Sequence, residues 1–192
     1  MKYARKIDLP INLDSIKISS KALSYHLTGT LWKEPASIHY YVRDKDKDYI
    51  KQCLPLDVRK HLYHIDTHKF TILAPHVHVT ELALINLYIS VDGEITTVYD
   101  GDKDPYNIWD VDNGNGYYLV NPDKINPIET FCASTGDIWI LDPTQPHSVT
   151  YKDDTRVGID RYIPLEGVDR PIRNVVQLYF DIPFKELSGM IA

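Results

Sequence analysis

Residues 73–80 read LAPHVHVT, and a third histidine follows far downstream in DPTQPHSVT. Neutral imidazole is the commonest protein ligand for zinc, copper, iron and nickel, so these residues raise the question of a metal site. His76 and His78 stand two apart in a segment of strand character, which puts both rings on the same face. His147 follows an apolar strand, GDIWIL, and a proline-framed turn, DPTQP, that can aim its ring into the mouth of a barrel. A single histidine is more often a surface or hydrogen-bonded core residue; here the grouping carries the reading. Glu81 lies three residues beyond His78 and offers a carboxylate if the strand bulges, since regular alternation puts it on the opposite face.

The elements that must position these residues are short strands. From residue 70 onward the stretches KFTIL, HVHVT, LALINLYIS, EITTVYD, YYLVN, IETFCAS, DIWILD, HSVTYK, TRVGIDRYIP and VVQLYFDIP read as strands, separated by turn signals such as VDGE, VDNGNG, STGD and DPTQP. Strands at this spacing predict a sandwich, jelly roll or barrel rather than a parallel sheet with crossover helices. The first third is mixed. SIKISS and SIHYYVRD read as strands, while KDYIKQCL and LDVRKHLYHI read as helices. In the second of those, Asp57 caps the first turn and Leu56, Leu62 and Tyr63 make an apolar face. The expectation is one domain over 1–192, with a mixed α/β flank at 1–69 and a β core at 70–184.

Composition bounds the function. Of 192 residues, 43% are hydrophobic and 25% charged, ordinary for a globular chain with a real core. Apolar runs reach about ten residues, against the roughly 20 needed to span a bilayer. The start, MKYARKIDLPINLD, lacks the apolar core of a signal peptide. A cytoplasmic location follows as an expectation, with Cys53 and Cys132 as free buried thiols. The net charge of −6 disfavours duplex nucleic acid as a partner, because phosphate recognition calls for a basic surplus. RDKDKD at 43–48 alternates in sign and reads as a solvated helix start or loop. The acidic cluster DGDKDP lacks the closing glutamate and helices of an EF-hand and reads as a plain loop. There is no P-loop, no GxSxG elbow and no GxGxxG opening a helix.

The run from about residue 70 to 182 resembles the double-stranded β-helix core of iron(II)/2-oxoglutarate-dependent oxygenases, closest to the prolyl- and aspartyl-hydroxylase-like branch of bacteria and phages. PHVHVTELALINLYIS is similar to that family's first metal-ligand strand and the strand after it, VDGEITTVYDG to its hairpin, and TGDIWILDPTQPHSV to the approach to its distal histidine. HSVTYKDDTRVGIDRYI resembles the distal histidine followed, nine residues later here, by an arginine. The resemblance implies a jelly roll binding Fe(II), with 2-oxoglutarate as cosubstrate and O₂ as oxidant. Carried over, His76 is the proximal ligand, His147 the distal one, and Arg156 the partner of the far carboxylate of 2-oxoglutarate. An arginine suits that role because its planar fork stays charged and binds a carboxylate bidentately. Asn86 and Tyr88 share parity with His76 along an unbroken strand, so they could face the pocket, with Tyr88 on the same carboxylate; core packing is an equal alternative for both.

This chain departs from the family at one point. Where the family has aspartate or glutamate two residues after the proximal histidine, His78 stands. A three-histidine site as in cupin-like thiol dioxygenases, a carboxylate from Glu81, or a member lacking the acid altogether would each reconcile the match. His64-Ile65-Asp66, a literal histidine-x-aspartate, lies before the matched strand and reads as a connector. The rival resemblance is to cupins: HVHVTE and GDIWILDPTQPHSV are similar to their two motifs, although Glu81 comes early and Gln145 stands where a glycine is expected. That implies a metal-dependent isomerase or thiol dioxygenase. A non-catalytic β-helix binding or assembly module is the alternative from another class. The primary substrate stays open, with a small molecule or peptide side chain favoured.

Overall fold

The structure is a computed structural model, which describes residues 2–26, 37–70, 73–91, 93–104, 117–152 and 173–191. Its strands are β1 (Ala4–Lys6), β2 (Ile18–His26), β3 (Ser37–Val42), β4 (Leu62–Phe70), β5 (Leu73–His78), β6 (Ala83–Ser90), β7 (Glu94–Gly101), β8 (Tyr117–Leu119), β9 (Ile125–Phe131), β10 (Ile138–Leu141), β11 (His147–Tyr151) and β12 (Arg173–Phe180). Among the described residues three α-helices accompany them: α1 (Asp44–Cys53), α2 (Leu56–Arg59) and α3 (Phe184–Met190).

The described strands form two antiparallel sheets. The larger has the order β1-β10-β6-β12-β4-β3-β2 and the smaller β8-β5-β11-β7-β9. Going along the chain, β4, β6, β10 and β12 fall in the large sheet, while β5, β7, β9 and β11 fall in the small one. The chain thus crosses repeatedly between facing sheets, and β12 returns to lie between β4 and β6. This is a mainly β, jelly-roll and cupin-like architecture, the class the strand spacing predicts.

Alternation within β6 explains the layering. Ala83, Ile85 and Leu87 join Val176, Leu178 and Phe180 of β12 in a cluster that also takes in Ile50 of α1, Val58 of α2 and Leu187 of α3. Leu84 and Tyr88 point the other way and pack with Val175 and Tyr179 of β12, Trp139 of β10, and Val98 and Phe131 of the small sheet. The centre of the large sheet, at β6 and β12, is therefore buried on both faces, which is why LALINLYIS is apolar almost throughout. Full burial of one leucine contributes about 1.5–3 kcal/mol, so the central strands β6 and β12 anchor the fold.

Several expectations change. LDVRKHLYHI does not form one helix: α2 ends at Arg59 and β4 begins at Leu62. Tertiary pairing outweighs the helical pattern, because β4 completes a sheet beside β12 over eight registered pairs. Leu56 consequently belongs to no apolar face and is 77% exposed. KFTIL is divided between the end of β4 and the start of β5. The predicted strand TRVGIDRYIP lies outside the described residues. The RDKDKD run does open a helix, but Asp46 is buried, with its carboxylate accepting from Arg43 Nε at 2.7 Å, Arg43 Nη2 at 3.0 Å and the Lys17 amide at 3.1 Å. Both cysteines are free thiols as expected, yet Cys53 is only half-buried and Cys132 is exposed. Among the described residues, no helix is long and apolar enough to cross a membrane.

Candidate metal centre

His76 lies on β5 and His147 on β11, and the two residues are direct partners in the antiparallel ladder of the small sheet. His78, two further along β5, shares their face. The three rings gather: centroids are 4.2 Å apart for His76 and His147, and 5.3 Å for His78 with each of the others. Each offers one ligand nitrogen, and those atoms all lie within 4.8 Å of one another. A metal–nitrogen bond is about 2.0–2.1 Å, so a bound ion would draw the rings slightly inward. Among the described residues no other group of histidine, cysteine, aspartate or glutamate gathers in this way.

Local sequence orients two of the rings by one device. The Nδ1–H of His76 donates to the Ala74 carbonyl at 2.8 Å, and that of His147 donates to the Gln145 carbonyl at 2.9 Å. A carbonyl can only accept, which fixes the proton on Nδ1 and leaves the lone pair on Nε2. The intervening residue is proline in both cases, Pro75 and Pro146. Proline sets its own φ and holds the preceding residue extended, so the accepting carbonyl is placed by the backbone. The His78 amide donates to the Pro143 carbonyl at 3.0 Å, tying β5 to the turn that carries His147.

His78 follows a valine and uses another partner. Its Nδ1 lies 3.2 Å from Glu81 Oε2, in the turn between β5 and β6. Glu81 bonds to one ring of the group and is not itself among the three gathered ligand atoms. Burial works to raise its carboxyl, but the hydrogen bond and charge of His78 outweigh this and hold it below the ordinary value. Burial pushes the His76 imidazole down to about 3, with the charge of His78 adding to the effect. Burial, then the neighbouring His76 and His78, push His147 well below its ordinary value. Both stay neutral at physiological pH, the form in which imidazole binds metal. The donor set therefore suits a divalent ion.

Asn86 and Tyr88 are not on a continuation of the His76 strand. The chain turns at 79–82, and both residues lie on β6 of the opposite sheet. There the Asn86 Oδ1 accepts from Gln177 Nε2 at 2.9 Å, and Gln177 Oε1 accepts from the Tyr179 hydroxyl at 3.0 Å. Tyr88 accepts from Arg173 Nη2 at 2.9 Å, and the guanidinium carbon lies 4.8 Å from its ring centroid. Arg173 is 2% exposed, and its charge reaches His147. Arg156 lies outside the described residues. His64-Ile65-Asp66 is on β4, where His64 Nε2 is 3.9 Å from Asp66 Oδ2 and its ring 5.4 Å from that of Tyr179; it takes no part in the histidine group. Asp102 of the acidic loop pairs with Lys124 at 3.1 Å.

Sequence reasoning missed Arg173, Gln177 and Tyr179. The signal was present in RNVVQLYF: Arg173, Val175, Gln177 and Tyr179 share one parity, opposite to Asn174 and the apolar Val176, Leu178 and Phe180. Polar residues alternating into an otherwise apolar, doubly buried strand mark the wall of an interior.

No family model and no curated protein matches the chain. Among solved structures, the X-ray structure of E. coli ycfD is similar over 77% of this chain, at 13% identity and a TM-score of 0.44. The match covers 34% of that chain, so this protein spans about a third of its length. A likeness at this level is too distant to carry an activity across. What the sequence and structure together establish is a cupin-like β fold whose small sheet presents three histidines able to hold a metal ion.

Proposed function

We propose that this protein is a non-haem iron(II) dioxygenase that uses 2-oxoglutarate to hydroxylate a small molecule or peptide side chain. The observation that carries this reading is a pairing across the barrel. Three imidazoles converge from the small sheet, and a buried arginine with a tyrosine hydroxyl stands on the large sheet, close enough for its charge to reach His147. Three histidines would hold such an ion and would leave coordination positions open for ligands. Bound iron(II) would supply the activation of O₂, coupled to decarboxylation of 2-oxoglutarate to succinate.

The chain's own residues supply the rest. His76, His78 and His147 hold the ion, each with Nδ1 anchored and Nε2 directed inward. Arg173 and Tyr88 bind the far carboxylate of 2-oxoglutarate; a buried guanidinium is worth more to a carboxylate than an exposed one, because water does not compete. Asn86, held by Gln177, adds a polar contact on the same wall. Arg156 is the other candidate for the carboxylate.

The position of His78 favours a second reading, a cupin-type three-histidine enzyme acting as isomerase or thiol dioxygenase. The two separate on the cosubstrate. Iron-loaded protein is incubated with 2-oxoglutarate and O₂, and succinate is measured. The proposal expects slow uncoupled turnover that disappears in His76→Ala and His147→Ala and falls in Arg173→Ala. Iron binding without any succinate moves the cupin reading ahead. Retention of the physiological activity by both histidine variants supports a binding module instead.

A further inference from the structure

Two of the three histidines are oriented by uncharged backbone carbonyls and the third by a carboxylate. His76 and His147 each follow a proline and donate to the carbonyl preceding it. His78 follows Val77, has no proline-set carbonyl, and is oriented through Nδ1 by Glu81 at 3.2 Å. Both side chains of this pair are largely withdrawn from water, His78 at 11% and Glu81 at 14% exposure, so the interaction is only partly screened. Glu81 has a further neighbour in Tyr63, whose hydroxyl is pushed up to about 12 by burial and by the Glu81 carboxylate beside it. Glu81 thus contacts His78 from outside the group of three gathered nitrogens and is backed by a second residue.

We propose that Glu81 is the positioning residue of the metal centre and supplies through His78 the negative charge that a directly ligating carboxylate would otherwise provide. Three neutral imidazoles leave the full double charge of a divalent ion uncompensated, whereas two histidines and one carboxylate cancel half of it. Here the carboxylate stands one group further out. It polarises the Nδ1–H of His78, makes Nε2 a stronger donor and lowers the net charge of ion plus surroundings by one. It also fixes the rotation of His78, which follows a valine where the other two rings follow a proline. This inference rests on the three histidines binding a metal, and it explains how the site works without an acid beside His76.

The test is an anaerobic titration of the 192-residue chain with Co(II), reading affinity by calorimetry and ligand geometry by the visible ligand-field bands. Four proteins are compared: wild type, Glu81→Gln, His78→Asp and the double variant. Glu81→Gln keeps the shape and a hydrogen-bond acceptor but removes the charge. It is expected to weaken Co(II) binding by about tenfold to a hundredfold and to shift the bands, a loss well beyond any change in metal-free stability. In the His78→Asp background, where the carboxylate ligates directly, Glu81→Gln is expected to have no effect on affinity. Unchanged affinity and bands in Glu81→Gln overturn the proposal. So does an equal loss in both backgrounds, or a fall in metal-free stability that parallels the loss, because either assigns Glu81 to the fold. Failure of the wild type to bind Co(II) overturns the metal reading itself, and is seen before any variant is made.

Discussion

His76, His78 and His147 are equivalent as residue types but differ in what holds them, and their substitutions should differ accordingly. His76→Ala and His147→Ala remove two of the proposed ligands, the ladder pair at the heart of the small sheet. Each should reduce Co(II) or Fe(II) affinity at least a hundredfold, measured by calorimetry. Arg173→Ala tests the other wall. A hydrogen bond to a charged group contributes about 1.5–3 kcal/mol, so the variant should bind 2-oxoglutarate at least tenfold more weakly while keeping its metal affinity. Retained cosubstrate affinity in Arg173→Ala together with loss in Arg156→Ala would move the role back to Arg156. The histidines also set a pH dependence. Unfolded histidine titrates near 6.5, whereas His76 is held down to about 3 and His147 well below its ordinary value. Between those limits the unfolded chain binds more protons, so stability rises with pH there. The metal-free protein should hold this contribution fully above about pH 6.5 and lose it as the pH falls toward the folded values, as followed by urea melts across pH 4–8. The histidines were legible in the sequence because a two-residue spacing has one meaning on a strand. Arg173 was not, because its burial depends on β12 returning between β4 and β6, a pairing that local pattern cannot foresee.

At the scale of elements, the site is built from proline-set turns and one central pair of strands. Pro75→Ala and Pro146→Ala release the restriction on Ala74 and Gln145, whose carbonyls hold the two rings. The freedom regained corresponds to about 0.4–1 kcal/mol, so metal affinity should drop about twofold to fivefold with little change in secondary structure by circular dichroism. Leu178 is fully buried between the large sheet and its helical cover. Leu178→Ala should cost about 2–5 kcal/mol in denaturant unfolding, the range for emptying a packed core site. The strands of the barrel could be read from alternation and turn residues, as LALINLYIS for β6 and HSVTYK for β11 illustrate. β4 could not. LDVRKHLYHI has a plausible helical face, and only the partnership of Leu62–Phe70 with β12 makes its second half a strand.

For the whole molecule, the two sheets serve different ends. The small sheet presents the histidines, while the large sheet is sealed on its outer face by α1, α2, α3 and the N-terminal segment and turns its polar residues inward. A metal that binds only the folded state stabilises it by mass action, by about 2.7 kcal/mol at a hundred times its dissociation constant. For a chain of this size that corresponds to a rise of roughly 5–10 °C in melting temperature, which EDTA should reverse. The acidic balance of −6 adds a negative expectation for the molecule as a whole, that duplex DNA should show no salt-sensitive binding in a mobility-shift assay. The central claim, that the three histidines hold one ion facing a 2-oxoglutarate site, is tested most directly by an anaerobic titration of metal-free protein with Fe(II) and then 2-oxoglutarate. The account predicts a weak visible charge-transfer band from the chelate, at one equivalent of iron, that is lost in His147→Ala and weakened in Arg173→Ala. Stoichiometric iron binding with no band on adding 2-oxoglutarate, or no iron binding at all, would contradict it.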